Sequence, residues 1–181
     1  MNFTNNLGEQ VMRAIREVKD YPKAGVVFKD ITPVMANPTL VSAIMEMLVS
    51  NAVSLNVDAV VAIEARGFIF GGMLAHALHR PFVPVRKVGK LPYHTVAKAY
   101  DLEYGSAIVE MHRDAVQKGW KVLIHDDLLA TGGTAAAAGH LVQQLGGQVA
   151  GFSFLVNLSF LRGEKKLAAE FGNKSFYLVS Y

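Results

Sequence analysis

The apolar positions of this chain fall into two rhythms. Leu7, Val11, Met12, Ile15 and Val18 recur at helical spacing, which predicts an amphipathic first helix ending before Tyr21-Pro22. Lys23 to Met35 has little periodicity and reads as a mixed loop. Asn37-Pro38 then supplies an N-cap with proline at the first helical position. The helix it opens carries Leu40, Val41, Ile44, Met45 and Leu48 on one face.

Beyond that helix, short apolar runs alternate with helical ones. Val57 to Ile63 predicts a strand, Phe68 to Leu78 a helix, and Phe82 to Val85 a second strand. Lys121 to His125 predicts a further strand, leading through a Thr-Gly-Gly-Thr turn into a helix from Gly133 to Leu145. Gly146-Gly147 stops that helix, and Gln148 to Val156 returns as a strand. Apolar strands alternating with helices predict an α/β fold: a parallel sheet with helices on both faces and right-handed crossovers.

Lys87 to Gly105 fits neither rhythm and holds Gly89, Pro92 and Gly105. A connector this long is usually functional or disordered, and a ligand-covering lid is the functional expectation. A plain surface excursion containing a small hairpin is the alternative.

Composition narrows the function classes. The 181 residues are 51% hydrophobic and 18% charged, which suits a chain with a sizeable core and argues against disorder. There are no cysteines, so thiolate nucleophiles, disulfides and cysteine–zinc sites are excluded. No apolar run approaches membrane-spanning length, and Met1 to Asp20 lacks a signal-peptide core, so a cytoplasmic location is expected. The net charge of +3 fits a polyanionic small molecule. No long basic run is interleaved with aromatics, so no nucleic acid partner is expected.

The chemistry concentrates in Lys121 to Thr134. Asp126 and Asp127 stand at the carboxyl end of a strand, where open α/β sheets bind ligands. Gly132 and Gly133 let backbone amides approach a ligand, Ala130 lies at the entry of the loop, and Thr131 and Thr134 add hydroxyls. The helix that follows begins with unpaired amides and a positive dipole end, which suits a phosphate. Acids beside an anion site suggest hydroxyls or a bridging cation as well, and a phosphorylated sugar meets all three demands.

Two other strand ends add charge. Arg66, in Glu64-Ala65-Arg66-Gly67, offers a fixed fork of donors for pyrophosphate or carboxylate, with a salt bridge to Glu64 as the alternative. Arg86, Lys87 and Lys90 follow the next strand and with Arg66 form a positive focus for a highly charged leaving group. His76 and His79 lie three apart on a helix without an evident third ligand, so a surface or packed pair is expected. His125 is expected to be structural. The chain has neither a P-loop nor a dinucleotide fingerprint.

The Lys121–Thr134 segment resembles the phosphoribosyl-pyrophosphate motif of the type I phosphoribosyltransferases. Arg86-Lys87-Val88-Gly89-Lys90-Leu91-Pro92, Tyr100-Asp101-Leu102-Glu103-Tyr104-Gly105 and Gly25-Val26-Val27-Phe28-Lys29-Asp30 resemble further strings of its adenine-using branch. The likeness runs from Tyr21 to about Asn157 in the family's order. It implies a single domain with the family's core, a hood of about residues 1–35 and a lid of about residues 87–105.

The implied reaction is adenine plus phosphoribosyl pyrophosphate giving AMP and pyrophosphate, with Mg2+ as cofactor and a homodimer as the assembly. The resemblance assigns Arg66, Arg86, Lys87 and Lys90 to pyrophosphate, and Ala130 to Thr134 to the 5-phosphate. Asp126 and Asp127 go to the ribose hydroxyls, directly or through magnesium and water, with no metal fixed by protein alone. Glu103 becomes the acidic lid residue placed near the purine during proton transfer, as general base or acid, and Tyr104 closes over the site. Val27, Phe28 and Lys29 become the adenine-binding segment, although the family more often carries arginine where Lys29 stands. Ala130 occupies the position where relatives acting on hypoxanthine and guanine carry an aspartate, which favours adenine over xanthine or another purine. A phosphoribosyl-pyrophosphate-sensing regulator is the non-catalytic alternative.

Overall fold

A computed structural model describes residues 3–101, 106–172 and 175–181. Two compact units are distinguished, Met1–Met47 and Leu48–Tyr181.

In the first unit the opening helix α1 (Phe3–Ala14) buries Leu7 and Val11, and Ile15 just beyond it is buried too. The helix stops earlier than its spacing predicts. Val18 belongs instead to strand β1 (Arg16–Lys19), which pairs antiparallel with β2 (Val27–Asp30), so Val18 faces Phe28. The expected loop over Lys23–Met35 is therefore structured, holding β2 and the short helix α2 (Thr32–Met35). Helix α3 (Pro38–Val53) starts where Asn37-Pro38 predicts. The Leu40 amide donates to Asn37 Oδ1 at 3.1 Å, satisfying one of the amides left open at a helix start.

The second unit is built on a seven-stranded sheet. In chain order its strands are β3 (Ala59–Ile63), β4 (Phe82–Lys87), β5 (Thr95–Asp101), β6 (Ser106–His112), β7 (Lys121–Leu129), β8 (Gln148–Asn157) and β9 (Ser175–Ser180). Their spatial order is β5-β6-β4-β3-β7-β8-β9. β4, β3, β7 and β8 run parallel, as expected, and β9, which the periodicity does not predict, joins them in parallel, but β5 and β6 are antiparallel additions at one edge. The sheet is thus mixed. The stretch expected to lack periodicity contains a regular strand, β5, which pairs along its whole length with β6.

Helix α4 (Gly67–Ala77) covers one face, with Gly71 against Ala62 and His125. Helices α5 (Gly133–Gln144) and α6 (Gly163–Phe171) cover the other, burying Ala135 to Ala138, Leu141 and Leu167 with Ile63, Ile124, Phe152 and Phe154. A methyl on Gly71 would stand 2.5 Å from the Ala62 Cβ, so the glycine sets the closeness of helix and sheet.

Candidate active site

Three parallel strands end side by side at the carboxyl edge of the second unit. Ile63 pairs with Val85 in register, and Ala62 pairs with His125, so the segments after β3, β4 and β7 open onto one edge. β7 is longer than the expected Lys121–His125. It runs to Leu129, so Asp126 and Asp127 lie within the strand, held by pairing to β8.

The acidic pair is tightly organised. The Asp127 amide donates to Asp126 Oδ1 at 2.9 Å. Asp127 is buried, and its Oδ2 lies 2.6 Å from Arg66 Nε in an ion pair. Desolvation, reinforced by the neighbouring charge of Asp127, raises the Asp126 pKa well above the usual aspartate value. A methyl on Gly67 would stand 2.8 Å from Asp126 Oδ1 and 3.1 Å from its Cα. Only glycine therefore lets the start of α4, and Arg66 immediately before it, come this close to the acids.

Arg66 does not pair with Glu64, the alternative its sequence position offered. The two acids have sorted between the two arginines: Asp127 takes Arg66, and Glu64 takes Arg86 at 2.7 Å. Glu64 also accepts the Lys87 amide at 2.8 Å. Burial would push the Glu64 carboxyl up, but the bonds from Lys87 and Arg86 outweigh it and hold its pKa below the ordinary 4.5. The Arg86-Lys87 segment is thus tied to the end of β3.

The phosphate-like loop has the predicted build. Gly132 stands at the N-cap of α5 in the left-handed region, φ +79°, and among the described residues no side chain caps the helix. The first-turn amides are therefore not used by a cap, and Thr131 and Thr134 flank them at partly buried positions. The loop is wedged from below by a contact that sequence spacing does not reveal. A Cβ on Gly163, the first residue of α6, would lie 2.2 Å from the Ala130 carbonyl oxygen and 2.9 Å from the Gly132 nitrogen.

His125, just before the acids, is fully buried, with Nδ1 3.3 Å from Ser153 Oγ. Burial lowers its pKa to about 4, so the ring is neutral near pH 7. The His76 and His79 rings lie 6.4 Å apart. Among the described residues, no group of three or more histidines and acids converges as a metal cage.

Val27, Phe28 and Lys29 lie in the first unit. Val27 is exposed, Phe28 meets the Tyr21 ring edge-on at 5.2 Å, and Lys29 is buried and ion-paired with Glu17. Glu103 and Tyr104 lie outside the described residues.

Sequence reasoning missed Glu110. It sits on β6, is 4% exposed, and accepts the amides of Lys90 and Leu91, each at 2.9 Å. A charged residue inside an apolar strand pattern was the available signal. Its partners, some 20 residues away, could not be read from spacing. Gly163 was missed for the same reason.

Residues 30–175 match the model of the phosphoribosyl transferase domain. The chain is 52% identical over 166 residues to an adenine phosphoribosyltransferase of Thermobifida fusca, covering 92% of this chain and 94% of that one. The solved adenine phosphoribosyltransferase of Thermoanaerobacter pseudethanolicus superposes with a TM-score of 0.92 at 46% identity, covering 96% of this chain and 99% of that one. That of Rhodothermus marinus does so with a TM-score of 0.92 at 48% identity, covering 98% and 99%. The loop, the acids and the arginines therefore stand in a familiar frame, and the chain belongs to the type I phosphoribosyltransferases, within their adenine phosphoribosyltransferase family.

Proposed function

We propose that the chain transfers the 5-phosphoribosyl group of phosphoribosyl pyrophosphate to adenine, giving AMP and pyrophosphate in purine salvage. The observation that carries the reading is one sheet edge bearing an uncapped, glycine-built helix start, an acidic pair and two ion-paired arginines. A phosphorylated sugar with a second, departing phosphate group is the ligand that answers to all three.

In this reading Ala130, Thr131, Gly132, Gly133 and Thr134 anchor the 5-phosphate through amides and hydroxyls. Asp126 and Asp127 hold the ribose hydroxyls. Arg66, Arg86, Lys87 and Lys90 offset the charge that grows on pyrophosphate as its bond to the anomeric carbon breaks. The purine nitrogen bonds to that carbon from the opposite face, and Glu103 takes the proton it sheds. Tyr104 closes the lid over the site, excluding water that would hydrolyse the activated sugar. Val27, Phe28 and Lys29 bind adenine, with the Phe28 ring as the stacking surface.

Magnesium fits the acidic pair. Burial first, and the charge of Asp127 second, disfavour the ionised form of Asp126, and a divalent cation beside the two carboxylates would favour it. Asp126 and Asp127 would hold it through water or ribose oxygens, and it would supply charge neutralisation of the pyrophosphate while keeping several waters. A cytoplasmic homodimer completes the reading, and sedimentation at twice the 19.7 kDa chain mass tests the assembly.

The direct test is turnover with magnesium and phosphoribosyl pyrophosphate against adenine, hypoxanthine, guanine, xanthine and orotate. AMP from adenine, with little product from the others, is expected. No AMP from adenine overturns the reading.

A further inference from the structure

Lys87 ends β4 opposite Val109 and the Val88 amide donates to the Ile108 carbonyl at 3.1 Å, but the turn that carries Lys90 is exposed at every position from 87 to 90. Something else must fix it if its cations are to meet a ligand in one geometry, since ordering an exposed loop costs conformational entropy at every residue. Gly89 turns the chain in the left-handed region at φ +83°. On either side of that turn the backbone is gripped by side chains.

The grip centres on Glu110, which β6 places beside Arg86 of β4 and Ala97 of β5 in register. Its Oε1 accepts both the Lys90 and the Leu91 amides at 2.9 Å, and its Oε2 accepts the Thr95 hydroxyl at 3.2 Å. Arg86 Nη1 meanwhile donates to the Lys90 carbonyl at 3.0 Å. Lys90 is therefore held at its amide by an acid and at its carbonyl by an arginine. Burial would raise the Glu110 carboxyl, but the hydrogen bonds from Leu91, Lys90, Thr95 and Gly89 outweigh it and hold its pKa below the ordinary 4.5. The group is an anion at neutral pH, and bonds from amides to an anion are about twice as strong as neutral ones.

We propose that Glu110 is the positioning residue of the pyrophosphate grip: it ties the turn after Gly89 so that Lys90 stands where the departing pyrophosphate needs it. This rests on the reading of Arg86, Lys87 and Lys90 as pyrophosphate-binding cations. Glu110 acts through the loop and touches no substrate. A rival role predicts the opposite sign. Were Glu110 only a charge that damps the neighbouring cations, its neutralisation would tighten pyrophosphate binding.

The test uses the full-length enzyme and inorganic pyrophosphate as inhibitor of AMP formation, with Glu110→Ala, Glu110→Gln, Arg86→Ala, Lys87→Ala and Lys90→Ala. Glu110→Ala removes the acceptors, and roughly a tenfold rise in both pyrophosphate Ki and phosphoribosyl pyrophosphate KM is expected. Glu110→Gln keeps one acceptor oxygen and loses the charge, so a rise of about threefold is expected. The adenine KM and AMP Kd stay within about twofold, because neither ligand carries pyrophosphate. A merely structural loss would lower the amount of active enzyme and its maximal rate without moving Ki. If the alanine variant fails to fold, the glutamine variant decides.

A folded Glu110→Gln enzyme with an unchanged or lowered Ki overturns the proposal. If Arg86→Ala, Lys87→Ala and Lys90→Ala all leave Ki unchanged, the reading of the loop as a pyrophosphate grip fails as well. If those three raise Ki and the Glu110 variants do not, only the role of Glu110 falls.

Discussion

Arg66 and Asp127 form an ion pair, Nε to Oδ2 at 2.6 Å, in which the acid is buried and the arginine 40% exposed. The pair joins the segment after β3 to strand β7. It also leaves Arg66 one side turned to solvent, where a ligand can reach it. Arg66→Ala strips a buried carboxylate of its counter-charge. Stability should fall by about 1–2 kcal/mol once the arginine's exposure is discounted. Catalytic efficiency should fall further, by about 10²-fold, through the lost charge stabilisation. Arg66→Lys keeps the charge without the fork and should recover stability better than kcat/KM. Urea unfolding and steady-state kinetics on both variants separate the two effects.

Gly163→Ala tests the wedge beneath the loop from Ala130 to Thr134. The added methyl would meet the Ala130 carbonyl oxygen at 2.2 Å, backbone against side chain with no flexible end to move aside. Destabilisation of about 1–3 kcal/mol is expected from overpacking. A loss of AMP affinity of roughly tenfold is expected as the loop shifts. Calorimetric titration with AMP on the folded variant reads the second effect, and unchanged affinity would show that the loop tolerates the shift.

Glu64 should leave a mark on acid stability. Its folded pKa lies below the ordinary 4.5, so the folded chain binds fewer protons there than the unfolded chain as pH falls. Its contribution is fully present above that value and is lost as pH drops through the folded pKa. Unfolding free energy of the natural chain should therefore decline between about pH 5 and 3. Glu64→Gln should start lower at pH 7 and decline less steeply over that interval, as measured by urea midpoints at each pH. An equal slope would mean that Glu64 is not ionised and bonded as described.

Glu103→Gln tests the proposed role of that acid. Turnover should drop by about 10²-fold while the KM values for adenine and phosphoribosyl pyrophosphate change little, the pattern of a lost proton acceptor. Unchanged turnover removes Glu103 from the mechanism.

How much of this was legible in sequence depends on the range of the forces involved. Strands β3, β4, β7 and β8 and helices α3, α4 and α5 were readable because buried elements write their period in consecutive residues, whereas β9 and α6 were not read. β1 was not, because three of its four residues are exposed and Val18 happens to fall at helical spacing from Ile15. β5 was hidden because an edge strand is half solvated: among its described side chains, Val96 and Tyr100 pack towards the core and Ala97, Lys98 and Ala99 are exposed. In the site, the glycine turn and the acids announced themselves within a single string. The sorting of Glu64 to Arg86 and of Asp127 to Arg66 did not, since each pair is closed by strand register.

The burial of His125 has a practical use. Of the 6 histidines in the chain, this one sits beside the acids and would be the first suspect for any activity limb near neutral pH. With a pKa of about 4 it does not change charge there. In a proton NMR titration from about pH 8 to 6, its ring resonances should stand still. The enzyme thus carries its own internal reference beside the chemistry, one whose displacement on adding substrate would report a change of shape rather than of protonation.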